Sequence, residues 1–275
     1  MRVVLFCGGL GLRMRALVED DQVLQRRAAD APKPMTMLGG QPLLWHLMRW
    51  YAFWGHDEFI LCLGHRGEVI LDWCLEQPHE ELIPRSADVP DSTRRVRLIG
   101  GEVDGWDITL VDTGADAIVG QRLRAVHSLV QGEPMFLANY ADGLCDIRLP
   151  DLIQHAEASG AVATFVSVPL SSSLHMVSTG ADGVVEEVSA LSDQGIWING
   201  GFFVLRTEIF DLLHDGEELV VEPFARLIGQ QRLAAVRHLG FWVALDTAKD
   251  RYLAELMWQS GDRPWAIWQS STQLV

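Results

Sequence analysis

The chain begins with an apolar run that does not alternate, Arg2-Val3-Val4-Leu5-Phe6-Cys7, and the run stops at Gly8-Gly9-Leu10-Gly11-Leu12-Arg13. A strand that is apolar on successive residues is apolar on both faces, so both faces must be covered, which is the condition of a parallel strand inside an α/β sheet. Glycines directly after such a strand let backbone N–H groups approach an anion, because no Cβ stands in the way. Arg13, and Lys33 in Pro32-Lys33-Pro34-Met35, add positive charge, so the simplest reading is a cradle for a polyphosphate. The spacing is neither a P-loop nor GxGxxG, and a tight strand-to-helix turn without a ligand stays open.

Strand and helix patterns alternate along the rest of the chain. After Gly39-Gly40-Gln41-Pro42, residues 43–54 form a dense apolar helix pattern closed by Gly55. Residues 59–63 read as a buried strand and 67–76 as a helix behind it. Residues 78–105 read as loops and short strands, 106–111 as a strand, 122–130 as a helix and 135–140 as another buried strand. A helix over 151–159 and a strand over 162–168 follow. Strands are expected over 184–188, 197–205 and 233–237, and helices over 221–230 and within 246–259. Residues 15–31 read as a long mobile loop, with a short helix within it as an option. The order predicts a single α/β domain, 1–275, with a mainly parallel central sheet flanked by helices. In such sheets ligands gather beyond the carboxyl ends of the strands. The glycine turn and Asp142, which follows the strand 135–140, are both placed there.

Composition narrows the partners. The 275 residues are 48% hydrophobic, enough for a sizeable core, and carry a formal charge of −15. That charge argues against a nucleic-acid surface or an anionic membrane as the partner. The cysteines Cys7, Cys62, Cys74 and Cys145 show no CxxC spacing and read as reduced core thiols of a cytoplasmic protein. No run is long and apolar enough to span a bilayer.

Two carboxylates stand at strand ends. In Tyr140-Ala141-Asp142-Gly143 the aspartate can hold a divalent metal over phosphates arriving from the glycine turn. An Asp-Gly turn explains the same pair of residues. In Gly240-Phe241-Trp242-Val243-Ala244-Leu245-Asp246-Thr247 an apolar run ends in a second carboxylate, which equally suits a helix cap.

Together these motifs are similar to those of the sugar-phosphate nucleotidylyltransferases, and among them to the glucose-1-phosphate cytidylyltransferases. The matching strings are Gly8 to Arg13, Pro32 to Met35, Gly39 to His46, Val111-Asp112-Thr113-Gly114, Tyr140 to Gly143, Trp197-Ile198-Asn199-Gly200-Gly201-Phe202-Phe203-Val204, Gly240 to Trp242, Leu245 to Thr247 and Pro264 to Trp268. They keep the family's order and cover nearly the whole chain. The resemblance implies a Rossmann-like nucleotidyltransferase fold, and a reaction of an NTP, CTP foremost, with a sugar 1-phosphate to give NDP-sugar and pyrophosphate. It implies that Gly8, Gly9, Gly11 and Arg13 hold the triphosphate, that Lys33 binds phosphate oxygens, and that Asp142 and Asp246 hold Mg²⁺. Arg13, Lys33 and Asp142 are the catalytic candidates. Tyr140, Asn199 and Gly200 would face the sugar phosphate. Arg122, in Gly120-Gln121-Arg122-Leu123, would reach the base, a solvated arginine at a helix start being the alternative. A homo-oligomer is expected.

The departures from the family pattern are informative. Leu12 stands where the family has Thr. Arg13 and Lys33 are 33 − 13 = 20 positions apart, roughly twice the family's interval, which implies an enlarged flap or a subunit contact. The family's Glu-Lys-Pro before Trp-Ile-Asn-Gly-Gly is replaced by Ser189-Ala190-Leu191-Ser192-Asp193, without the lysine that contacts the sugar phosphate. Another cation then serves, His175 being one candidate with a purely structural histidine as its alternative, or the acceptor differs. The rival functions are the same chemistry on another NTP or a modified sugar phosphate, and a non-catalytic nucleotide-sugar-binding homologue.

Overall fold

The computed structural model describes residues 1–9, 31–84, 88–171 and 174–270. Gly11, Leu12 and Arg13 lie outside the described residues, as does nearly all of the loop expected over 15–31.

The elements, in order, are β1 (Val3–Phe6), α1 (Leu43–Phe53), β2 (Glu58–Leu63), α2 (Gly67–Glu76), β3 (His79–Leu82), β4 (Arg94–Leu98), β5 (Asp107–Asp112), α3 (Val119–Ala125), β6 (Met135–Tyr140), β7 (Gly143–Cys145), α4 (Leu149–Ser159), β8 (Ala163–Pro169), β9 (His175–Thr179), β10 (Val185–Ala190), β11 (Trp197–Asn199), β12 (Phe203–Arg206), α5 (Glu222–Gly229), β13 (Leu233–Arg237), β14 (Trp242–Ala244) and α6 (Ala248–Ser260). Ten strands form one sheet in the order β11-β8-β12-β6-β1-β2-β5-β4-β3, with β13 on the other side of β8. Its centre, β6-β1-β2-β5, is parallel, as the unbroken apolar runs require. Both flanks carry antiparallel strands.

The β1 run explains the layering. Val3 and Leu5 point into a core shared with α1, α2 and α4, while Val4 and Phe6 point into the opposite core against α3 and α5. All four side chains are buried. In the register, Phe6 stands beside Cys62 on one side and Tyr140 on the other, so the carboxyl ends of the central strands finish level with the glycine turn. A third core, around Leu38, Leu245 and Trp265, joins the Met37–Leu38 hairpin to α6 and the C-terminal segment.

Two expectations are corrected in detail, and one strand pair lies outside them. The helix over 122–130 is two short helices, α3 and His127–Val130, that meet at Val126. The strand over 197–205 is broken into β11 and β12. Against β8 the partner sums change from 163 + 205 = 368 to 167 + 199 = 366, so two residues are looped out. Gly201 at φ +75° and Phe202 at φ +51° turn the chain there. A Cβ on Gly201 would lie 2.4 Å from Asn139 Oδ1, so only glycine fits that turn. Finally, β7 and β14 pair as a separate antiparallel ribbon, with Ala244 opposite Gly143 and Trp242 opposite Cys145. Neither strand of this ribbon was anticipated, because three residues carry too little periodicity to be read.

The four cysteines are buried and free. Burial pushes the Cys62, Cys74 and Cys145 thiols up to about 12, which fits inert core thiols. No described helix is long and apolar enough to cross a membrane.

Candidate active site

The crevice lies at the carboxyl ends of β1 and β6 and measures about 280 Å³. Its floor is Cys7, Gly8 and Gly9, and its walls include Lys33, Tyr140, Asp142, Arg122 and Glu218. Among the described residues, and apart from its chain neighbours, no heavy atom lies within 4 Å of where a Gly9 side chain would start.

Asp142 leaves β6 in the turn before β7. Asp246 follows β14, and because β7 and β14 are paired, the two carboxylates are carried by one ribbon. Lys33, in the short 3-10 turn Lys33–Met35, reaches both: Nζ is 3.4 Å from Asp142 Oδ2 and forms a short ion pair with Asp246 Oδ1. Burial raises the Asp142 carboxyl above the ordinary carboxylate range; Lys33 pulls it down and Asp246 pushes it further up. Burial pulls Lys33 down, but its two carboxylate partners more than compensate and hold it above its ordinary value. Two acidic groups converge on one ammonium in a partly desolvated place. Two converging carboxylates are hard oxygen donors of the kind that fit a divalent cation.

The helix-cap alternative for Asp246 is removed. The cap of α6 is Thr247, whose Oγ1 accepts from Asp250 N at 3.2 Å while Asp250 Oδ2 accepts from Thr247 N at 2.8 Å. Asp246 takes no part in that cap and pairs with Lys33 instead.

Arg122 lines the crevice but is not the solvated residue of the alternative reading, being 3% exposed. Its guanidinium donates to Gly8 O at 2.8 Å, Leu63 O at 2.9 Å, Thr113 Oγ1 at 2.7 Å and Gly114 O at 3.0 Å. It rests so closely on the chain that a Cβ on Gly8 or Gly64 would lie 2.1 or 2.4 Å from guanidinium atoms. Arg122 therefore braces the glycine turn against the ends of β2 and β5. Gly120 has a packing reason as well: a Cβ there would lie 2.1 Å from Glu217 O.

On the side of β6 away from β1, Asn199 Nδ2 is 3.5 Å from Tyr140 OH, and Asn199 Oδ1 accepts from Gly201 N at 2.9 Å. Gly200 O accepts from Trp242 Nε1 at 2.8 Å, which ties the looped-out glycines to the carboxylate ribbon. Tyr140, Asn199 and Gly200 are thus brought together beside Asp142. His175 is not placed as a buried structural histidine. It is exposed at the start of β9, directly across the hairpin from Ala190.

Glu218 is a crevice residue that the sequence reading did not single out. Its carboxylate accepts from Val119 N at 3.3 Å and Leu219 N at 3.1 Å, and burial raises its pKa. Its neighbour Glu217 instead pairs with Arg226 and is pulled down to about 2. Adjacent identical residues carry no local signal that tells them apart.

No family model matches the chain. It is 36% identical over 270 residues to a probable glucose-1-phosphate cytidylyltransferase of Bacillus subtilis, spanning 98% of this chain and 100% of that protein. It is 32% identical over 272 residues to the glucose-1-phosphate cytidylyltransferase of Salmonella typhimurium, with the same coverage of 98% and 100%. In structure it resembles HddC from Yersinia pseudotuberculosis, with a TM-score of 0.63 at 18% identity over 94% of this chain and 99% of that one, a likeness of fold.

Proposed function

Because the chain belongs to the glucose-1-phosphate cytidylyltransferase family of sugar-1-phosphate nucleotidylyltransferases, we propose that this crevice joins an NTP, CTP foremost, to a sugar 1-phosphate and releases pyrophosphate. One observation carries the reading: Asp142 and Asp246, 246 − 142 = 104 positions apart, converge on Lys33 beside the glycine turn. A non-catalytic sugar-binding site has no use for such a pair.

The acceptor oxygen is already anionic near neutral pH, so the chain has to place two anions in line and relieve their repulsion. The turn Gly8-Gly9, braced by Arg122, offers backbone N–H groups to the triphosphate. Asp142 and Asp246 would hold Mg²⁺, which when bound supplies positive charge to the phosphates being joined and parted. Lys33, beside both carboxylates, would offer its ammonium to phosphate oxygens and help stabilise the departing pyrophosphate. Tyr140 and Asn199 bound the acceptor side. Glu218 repels phosphate and so selects a neutral donor, a hydroxyl or an amine of the substrate. Arg13 and Gly11 would complete the triphosphate site. We further propose a homo-oligomeric cytoplasmic enzyme; four buried cysteines that are not joined in disulfides suit a reducing compartment.

The test is pyrophosphate release across four NTPs and a set of sugar 1-phosphates, with and without EDTA. Metal-dependent release that is fastest with CTP is expected. A clear preference for another NTP overturns the choice of base, and no release with any pair overturns the enzyme reading.

A further inference from the structure

In-line transfer puts the acceptor opposite the leaving pyrophosphate. The glycine turn follows β1 and Asp142 follows β6, so the acceptor lies on the side of β6 away from β1, over the lane of β11 and β12 and then β8 and β13. In register, Asn199, Ser167 and Arg237 form one row across β11, β8 and β13, with their side chains on one face. Tyr140 is on that same face, through the pairings of β6 with β12 and of β12 with β8. Because β13 runs parallel to β8, Arg237 ends its strand at the same edge of the sheet as Ser167.

The Arg237 guanidinium is 4.8 Å from the centroid of the Trp197 ring, and Trp197 is two residues before Asn199 on the same strand and face. This cation–π contact tethers the guanidinium over the indole, and the planar donor fork of an arginine suits an oxyanion. Arg237 has no carboxylate partner among the described residues. The cations that line the crevice are engaged, Lys33 with Asp142 and Asp246, and Arg122 with backbone and hydroxyl oxygens.

We propose that Arg237, held on Trp197, is a specificity residue for an acceptor that carries a second anionic group, a carboxylate or a phosphate, at the end of the sugar away from the reacting phosphate. Three strand steps of about 4.8 Å put its backbone roughly 14 Å from that of Tyr140, too far for the reacting phosphate but within reach of a distal substituent. The inference rests on the nucleotidyl-transfer reading of the crevice. It also answers a general difficulty: a chain of net charge −15 repels doubly anionic acceptors unless a local cation receives them.

The experiment compares glucose 1-phosphate, glucuronic acid 1-phosphate and glucose 1,6-bisphosphate as acceptors with CTP and Mg²⁺, in the full chain and in Arg237→Gln and Arg237→Lys. The expected result is a KM for one of the two anionic acceptors at least tenfold below that for glucose 1-phosphate, with the better of the two showing whether the distal group is carboxylate or phosphate. Arg237→Gln should shrink that ratio to within threefold, and Arg237→Lys should restore part of it. A purely structural role for Arg237 would move all KM values together and leave the ratio intact. Equal KM values in the unmodified protein, or a ratio that survives Arg237→Gln, overturn this inference while turnover itself upholds the reading of the site. No turnover with any acceptor overturns that reading, and this inference with it.

Discussion

Removing the Arg122 guanidinium distinguishes a brace from a base contact. In the structure it makes four donor contacts of 3.0 Å or less, to Gly8 O, Leu63 O, Thr113 Oγ1 and Gly114 O. A hydrogen bond from a charged donor contributes about 1.5–3 kcal/mol, and contacts from one group are not additive. Leu63 O keeps other donors in Thr113 N and Thr113 Oγ1, so the loss falls mainly on Gly8 O and Gly114 O. Two such bonds put the cost of Arg122→Met at about 3–5 kcal/mol. At about 2–4 °C per kcal/mol for a chain near this size, Tm should fall by roughly 6–20 °C. Arg122→Lys keeps the charge but loses the fork, so it should recover less than half of the loss. Calorimetry on the NTP-free protein measures this directly. If Arg122 serves the base instead, both variants melt with the unmodified protein and only NTP affinity falls, which would refute the brace.

Asp142→Asn should lower kcat by about a hundredfold or more, because a carboxylate ligand is lost where charge develops. Its Tm should not drop, since burial and Asp246 already disfavour the Asp142 charge and Lys33 keeps Asp246; a matching loss of stability would make Asp142 structural. Glu218→Gln should raise the KM of whichever substrate it meets about tenfold, by weakening an acceptor at a desolvated site, and unchanged KM values for both substrates would remove Glu218 from the site. His46, fully buried among Trp45, Trp258, Trp265 and Trp268, donates from Nε2 to Leu38 O at 2.8 Å and is held down to about 4 by burial. The unfolded chain takes up its proton near pH 6.5 and the folded chain only near 4, so stability should fall as pH drops through that window, by up to about 3 kcal/mol. Urea midpoints at pH 7 and 4.5 measure it; His46→Gln should flatten the slope in part, because His56 is also held down to about 4, and an unchanged slope would exclude His46 as a source.

Much of the fold was legible because its signals are local. Val3 to Phe6, Phe59 to Leu63 and Met135 to Tyr140 are apolar on consecutive residues, and that alone demands a sheet covered on both faces. Gly67–Glu76 and Leu233–Arg237 have the bounds expected of them. Lys33, Asp142 and Asp246 were found through motif order, which is also linear. What the sequence by itself determined is therefore which segments bury both faces, where the chain turns, and which charged residues stand at those turns.

The tertiary structure decided how those residues are used. Asp246 reaches Asp142 only because two three-residue strands, unreadable alone, pair as a ribbon. Arg122 points into the glycine turn because Gly8 and Gly64 leave room for it, two absences far apart in the chain. Glu217 and Glu218 are identical and adjacent, yet one meets Arg226 at the surface and the other enters the crevice. Arg237 and Trp197, 237 − 197 = 40 positions apart, make a cation–π contact across β8 because the β11 and β13 registers put them there. Periodicity and turn chemistry act between chain neighbours, whereas a side chain's partner across the sheet depends on strand order and register, which are set by the packing of the whole chain.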